Sequence, residues 1–194
     1  FGGRCGSFCC GCKKFNEKSG LNEDYEYWYK LINQVKPGLI RIEADEVHYC
    51  LHIILRFEIE GGLLDGSIEV SSLPKIWDEK MQELFGYKPS NDKEGILQDV
   101  HWSQGYIGYF PTYTLGTIYA SQIHETLKKE YPEIEKDIEK GNYEKVRNWL
   151  KEKIHKHASR FFADELIKKV CGSGLNPKTY IDYLTEKYSK IYGF

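Results

Sequence analysis

A mainly α fold with little or no β-structure is what this sequence predicts, on three observations. Apolar residues recur at helical spacing along most of the chain, Pro and Gly punctuate the intervals between those stripes, and 41% of the residues are apolar with 14% aromatic. At 194 residues the chain is long enough to bury a core and too rich in apolar side chains to be disordered. Taken in order, "NEDYEYWYKLINQV" places Tyr25, Trp28, Leu31, Ile32 and Val35 on one stripe that ends at Pro37-Gly38. From Glu43 to Glu60 a central helix is expected, apolar round most of its circumference yet carrying Asp45, Glu46, His48, His52, Arg56 and Glu58. A helix hydrophobic on most sides lies inside a domain, so some of those ionisable groups must be buried and paired.

"GGLLDGSIEVSS" reads as a loop with a short strand, after which Ser72 and Pro74 open a helix that Gly86 closes behind Phe85. "YKPSNDKEG" is loop, the block from His101 to Tyr113 is rich in Gly and aromatics, and a helix runs from Thr114 to Lys129. Three more stripes complete the chain. Tyr143, Val146, Leu150 and Ile154 form one, Phe162, Leu166, Ile167 and Val170 form the next and stop at Gly172, and Ile181, Leu184, Tyr188 and Ile191 follow a start at Asn176-Pro177.

Charge narrows the function. With 27 basic and 29 acidic residues the formal net charge is −2, which leaves no basic face for nucleic-acid phosphates or an anionic membrane. No apolar run approaches the roughly 20 residues of a membrane span, and no signal peptide opens the chain. The expectation is a cytoplasmic protein. Because the sequence starts at Phe1 and not at Met, it is either processed or part of something longer.

Four of the six cysteines crowd into "CGSFCCGC", as Cys5, Cys9, Cys10 and Cys12. Zinc knuckles need paired C-x2-C units with a second pair at a distance, and this spacing is C-x3-CC-x-C with no later partner pair, so the expected state is a terminus of reduced thiols. A cysteine-cluster metal protein is the last-ranked alternative.

The chemistry concentrates in two stretches. Arg41 precedes the central helix and Asp45 falls in its first turn. Arg41 either pairs locally with Asp45 or Glu43, or presents its guanidinium fork to a carboxylate ligand. His48 and His52 stand at i, i+4, but Tyr49 occupies the place where a metalloprotease helix has Glu, and "HETLK" at His124 lacks the second His. "GILQDVHW" gathers Gln98, Asp99, His101 and Trp102. It is either a buried polar network, with Asp99 accepting from His101 and Gln98 tying the backbone, or an active-site wall in which Asp99 orients His101 toward a substrate. Tyr109 and Tyr113 add candidate phenolic donors.

Two motifs turn these alternatives toward a family. Ile40, Arg41, Ile42, Glu43, Ala44 and Asp45 form an I-R-x-x-A-D motif, and Gly95, Gln98, Asp99, His101 and Trp102 form G-x-x-Q-D-x-H-W. With "WLKEKIHKHASRFFADELIKKVCGSGLNP", they resemble the C-terminal half of the carboxypeptidase Taq family of metallocarboxypeptidases. The resemblance covers residues 22 to 194 and leaves 1 to 21 as an atypical Cys/Gly-rich terminus.

What the resemblance implies is a helical, zincin-like, homodimeric enzyme that removes C-terminal residues from peptides with one zinc or cobalt ion. In the family an H-E-x-x-H helix and an H-E-S motif hold that ion. Neither motif occurs in these 194 residues, so the chain alone is expected to hold no metal and to lack the general base. On the same resemblance His101 and Tyr109 are the candidate catalytic donors, Arg41, Gln98 and Trp102 the candidate substrate-binding groups, and Asp45 and Asp99 the carboxylates that orient their neighbours. Arg41 is the candidate for the substrate's terminal carboxylate. The competing expectation is a catalytically inactive helical binding or dimerisation module.

Overall fold

A computed structural model describes residues 17, 18, 20 and 24–194. The cluster of Cys5, Cys9, Cys10 and Cys12 lies outside them. Eight α-helices are found among the described residues, with no strand: α1 (Tyr25–Ile32), α2 (Tyr49–Asp65), α3 (Leu73–Phe85), α4 (Pro111–Glu130), α5 (Ile134–Glu139), α6 (Glu144–Lys153), α7 (Ala163–Cys171) and α8 (Lys178–Tyr192). The mainly α expectation holds. No described helix is long and apolar enough to cross a membrane.

The chain divides into two compact units, one of residues 33–116 and the other of 1–32 with 117–194, so the division falls within α4. In the first, α2 and α3 pack around Leu55, Ile59, Trp77, Met81 and Phe85. Leu55, Ile59 and Met81 are wholly shut from solvent. Pro74 sits in the first turn of α3, where its missing N–H costs nothing, and Gly86 ends the helix in the left-handed conformation.

The central helix differs from its sequence reading at both ends. It starts at Tyr49 because Asp45 caps the preceding turn, accepting from the backbone N–H groups of Val47 and His48, both at 2.9 Å. It runs on through Gly61 and Gly62 to Asp65, where a loop was expected. Tertiary packing explains this: Ile68 folds back so closely that a Cβ on Gly62 would meet its Cδ1 at 2.5 Å. Glycine costs helix stability, and here the burial of Ile68 against the bare backbone outweighs it. The segment expected to be a short strand holds instead the 3-10 turn Val70–Ser72.

In the second unit Leu127, Ile134 and Trp149 form the core, with Ile123, Val146 and Leu150 packed round it. Its buried polar residue is Gln122, whose amide donates to the Gly174 carbonyl and accepts from the Asn176 N–H at 3.0 Å, bracketing the turn before α8. Pro177 stands at the cap of that helix, and Asn176 just before it accepts from the Lys178 N–H.

Candidate functional site

The site lies in the 33–116 unit and is built on one face of α2. His52, Arg56 and Glu60 recur there at i, i+4 and i+8, all at most 3% exposed. Each reaches a different part of the surrounding chain.

Arg56 holds Asp99. Its Nε donates to Asp99 Oδ2 at 2.7 Å, its Nη2 lies 2.6 Å from the same oxygen, and its Nη1 donates back to the His52 carbonyl at 2.8 Å. The guanidinium also lies 4.7 Å from the Trp77 ring centroid. Burial pushes its pKa down to about 10, against the pull of Asp99, so it remains charged at neutral pH.

The other oxygen of Asp99 belongs to Arg41. Arg41 Nε and Nη2 donate to Oδ1 at 3.0 and 2.7 Å, and Nη1 donates to the Tyr49 hydroxyl at 3.1 Å. Burial lowers the Arg41 pKa, but Asp99 and Tyr49 more than reverse it and the net shift is upward. Asp99 behaves in the complementary way: burial favours its neutral form, and the two guanidiniums overcome that and hold its pKa below the ordinary value. Gln98 fixes the backbone beside it, accepting from the Arg41 N–H at 2.8 Å and donating to the Leu39 carbonyl at 3.1 Å.

Glu60 holds the next stretch. Its Oε1 accepts from the Trp102 indole at 3.0 Å and from the Gly108 N–H at 2.9 Å, closing the segment that carries His101 and Tyr109. The His101 ring packs on Phe110, with centroids 4.4 Å apart, and its Nε2 pairs with the Tyr113 hydroxyl at 2.9 Å. Tyr109 lies alongside, 5.6 Å between centroids, and is 45% exposed. Burial lowers the His101 pKa, and the nearby guanidiniums add to that against Asp99, so the ring is neutral at pH 7.

Asp45 forms a separate knot at the head of α2. Its Oδ2 pairs with His48 Nδ1 at 2.7 Å and accepts from the Lys36 N–H at 2.8 Å. Burial alone would raise its pKa, and the bonds from His48 and Lys36 reverse the sign.

Arg41, Gln98, Asp99, His101, Trp102 and Tyr109 are thus brought together, while Asp45 stands with His48. Two local pairings expected from sequence are replaced by longer ones. Arg41 pairs with neither Asp45 nor Glu43, because Asp99 takes its fork from 58 residues away. His101 does not hydrogen-bond Asp99: its Nδ1 is 3.9 Å from Oδ1, since both carboxylate oxygens are already occupied by arginines. Arg56 and Glu60 are the partners that motif reading passed over. Their spacing with His52 on a helix apolar elsewhere was the available signal.

Among the described residues no three or more His, Cys, Asp or Glu side chains gather to hold a metal ion. What the arrangement supplies is a rigid wall with two guanidiniums on one carboxylate, a neutral imidazole bonded to a phenol, and an exposed second phenol.

The described residues thus form an α-helical fold with a row of buried polar and charged groups on α2 and an aromatic wall beside it. Residues 11–188 match the carboxypeptidase Taq (M32) metallopeptidase family. Carboxypeptidase 1 of Bacillus subtilis is 44% identical over 163 residues, covering 84% of this chain and 32% of that protein. Thermostable carboxypeptidase 1 of Pyrococcus furiosus is 41% identical over 160 residues, covering 82% and 32%. Among solved structures, metallocarboxypeptidase 1 of Trypanosoma cruzi superposes with a TM-score of 0.86 at 40% identity, covering 95% of this chain and 40% of that one. The M32 carboxypeptidase of Deinococcus radiodurans gives 0.89 at 32% identity, covering 98% and 39%. The chain belongs to the carboxypeptidase Taq family of metallopeptidases. It spans about a third of the length of the curated relatives it matches.

Proposed function

We propose that this chain forms the substrate-side wall of a metal-dependent carboxypeptidase that releases C-terminal amino acids from peptides, working as a cytoplasmic homodimer. The zinc or cobalt ion and the general base are supplied by H-E-x-x-H and H-E-S elements outside the 194 residues, and when bound the ion would activate the attacking water. Arg41 receives the terminal carboxylate, Gln98 and Trp102 line the same wall, and His101 and Tyr109 donate to the scissile carbonyl. Asp99 orients Arg41, and Asp45 orients His48.

One observation carries this reading: two buried guanidiniums, Arg41 and Arg56, share the single carboxylate of Asp99. One positive charge is left over inside a nearly water-free wall, which favours an anion. Asp99 takes Nε and one N–H of Nη2, and the Tyr49 hydroxyl takes one N–H of Nη1, so each terminal nitrogen of Arg41 keeps one N–H for a carboxylate ligand.

The test is made on the intact metal-loaded enzyme. Arg41→Ala should lower kcat/KM by roughly tenfold to a few hundredfold, the equivalent of about 1.5–3 kcal/mol for a charge-assisted contact. Arg41→Lys should recover part of it. Because Arg41 also braces Asp99, activity alone is not decisive. The readout is discrimination between a free-acid peptide and its C-terminal amide. An undiminished preference in Arg41→Ala overturns the assignment.

A further inference from the structure

Arg56 is fully buried and pairs with the oxygen of Asp99 that Arg41 leaves free. Apolar residues would fill its place between Trp77 and Phe110 at lower desolvation cost. Its presence therefore calls for an account beyond packing.

Consider the charges. Without Arg56, Arg41 and Asp99 would be a neutral pair, and an incoming carboxylate would meet the attraction of one and the repulsion of the other. With Arg56 the cluster carries one net positive charge. His52 and His101 are both neutral at pH 7, because burial disfavours their charged forms. Glu60, also on this face of α2, is held by the Trp102 indole and the Gly108 N–H, whereas the carboxylate that Arg56 pairs with is that of Asp99.

We propose that Arg56 is a positioning and charge-setting residue of the terminal-carboxylate site: it neutralises Asp99, leaving the charge of Arg41 free for a substrate anion it never contacts. This rests on the assignment of Arg41 as the carboxylate receptor. A unit charge one carboxylate removed from a bound anion, at an effective dielectric near 20, changes affinity for that anion by at least roughly tenfold.

The experiment is competitive inhibition of peptide cleavage in the intact holoenzyme, by N-acetyl-leucine and by N-acetyl-leucinamide, with the ratio of the two Ki values as readout. Arg56→Met keeps the stem between the aromatic rings and removes the charge, and should reduce the wild-type preference for the acid roughly tenfold. Arg56→Lys should retain most of it. The double variant Arg56→Met/Asp99→Asn removes one charge of each sign, restores the net +1 and should recover the preference to within about threefold of wild type. Asp99→Asn alone should raise it, whereas a purely structural role for the pair predicts a fall.

A preference unchanged in Arg56→Met, or a double variant no better than Arg56→Met, overturns the inference. Should Arg56→Met fail to fold, the sign of the Asp99→Asn effect decides. Absence of any acid preference in the wild-type enzyme is a different result, and counts against Arg41 as the receptor.

Discussion

The two units of this chain are both helical but bury different things. The 33–116 unit encloses Arg41, His52, Arg56, Glu60 and His101 beside its apolar core. The unit containing 117–194 closes round Leu127, Ile134 and Trp149, and its buried polar residue, Gln122, serves only to bracket backbone. Its ion pairs are placed at the rim, as with Lys178–Asp182 and Lys190–Glu186, where water screens them. Apolar burial stabilises more cheaply than buried charge. The second unit follows that rule, and the first departs from it where the motifs lie. A departure of this kind marks the place where the fold serves chemistry.

The comparison breaks most visibly at Asp99. Asp99→Ala strands two buried guanidiniums and should cost about 3–5 kcal/mol in unfolding free energy. The matched change in the other unit is Asp164→Ala, which removes the acceptor of the Tyr119 hydroxyl, a 2.6 Å bond at the surface. That should cost about 1 kcal/mol or less. Urea denaturation of both variants measures the difference. Equal losses would mean that the buried network is no more demanding than a rim contact.

A second, smaller effect separates the units by pH. Burial first, and Arg56 second, depress His52 to about 4. Its unfolded value is near 6.5, so between these limits the unfolded chain binds the proton and the folded chain does not. The contribution of His52 is therefore complete above pH 6.5 and is lost as pH falls toward 4, by at most about 3 kcal/mol. Asp99 and Asp45, held below their ordinary pKa, act in the same direction at still lower pH. In the other unit His124, beside Glu135 at 3.8 Å, is depressed without so large a shift. The slope of stability against pH from 6.5 to 4 should flatten in His52→Phe, whatever that variant's absolute stability, and change less in His124→Phe. Identical slopes in wild type and His52→Phe would remove His52 from the acid-sensitive group.

How much of this was legible follows the range of the interactions. Helix α3 could be read because its signals, Pro74 and Gly86, act on their own neighbours. The end of α2 could not, since Gly61 and Gly62 signal a break and what overrides them is Ile68 folding back from beyond the helix. The site shows the same division. Residue types and motif spacing singled out Arg41, Gln98, Asp99 and His101, whereas pairing rules based on proximity in sequence matched Arg41 with Asp45 or Glu43. Its real partner is 58 residues away, and Asp99 finds Arg56 at a separation of 43. Nothing local encodes such contacts, except that a helix apolar on most sides must satisfy whatever charges it carries.

The smallest effect has the opposite sign and lies in the quieter unit. Ala158 adopts φ 47°, ψ −128°, a backbone conformation in which a Cβ is crowded and which glycine occupies freely. It stands second in a tight turn closed by the Arg160 N–H on the His157 carbonyl at 3.1 Å. That is the position where a primed turn of this type takes Gly. Ala158→Gly should relieve strain of about 1–3 kcal/mol, offset by the greater freedom glycine gives the unfolded chain, for a net gain of about 1 kcal/mol. The variant should unfold at a higher urea concentration with the same slope, and Ala158→Val at a lower one. The acid preference set by Arg41 and Arg56 should not move, since no charge has changed. A destabilised Ala158→Gly would mean that the turn is held by contacts of the alanine methyl, and that the unit containing 117–194 does not carry the strain its backbone angles indicate.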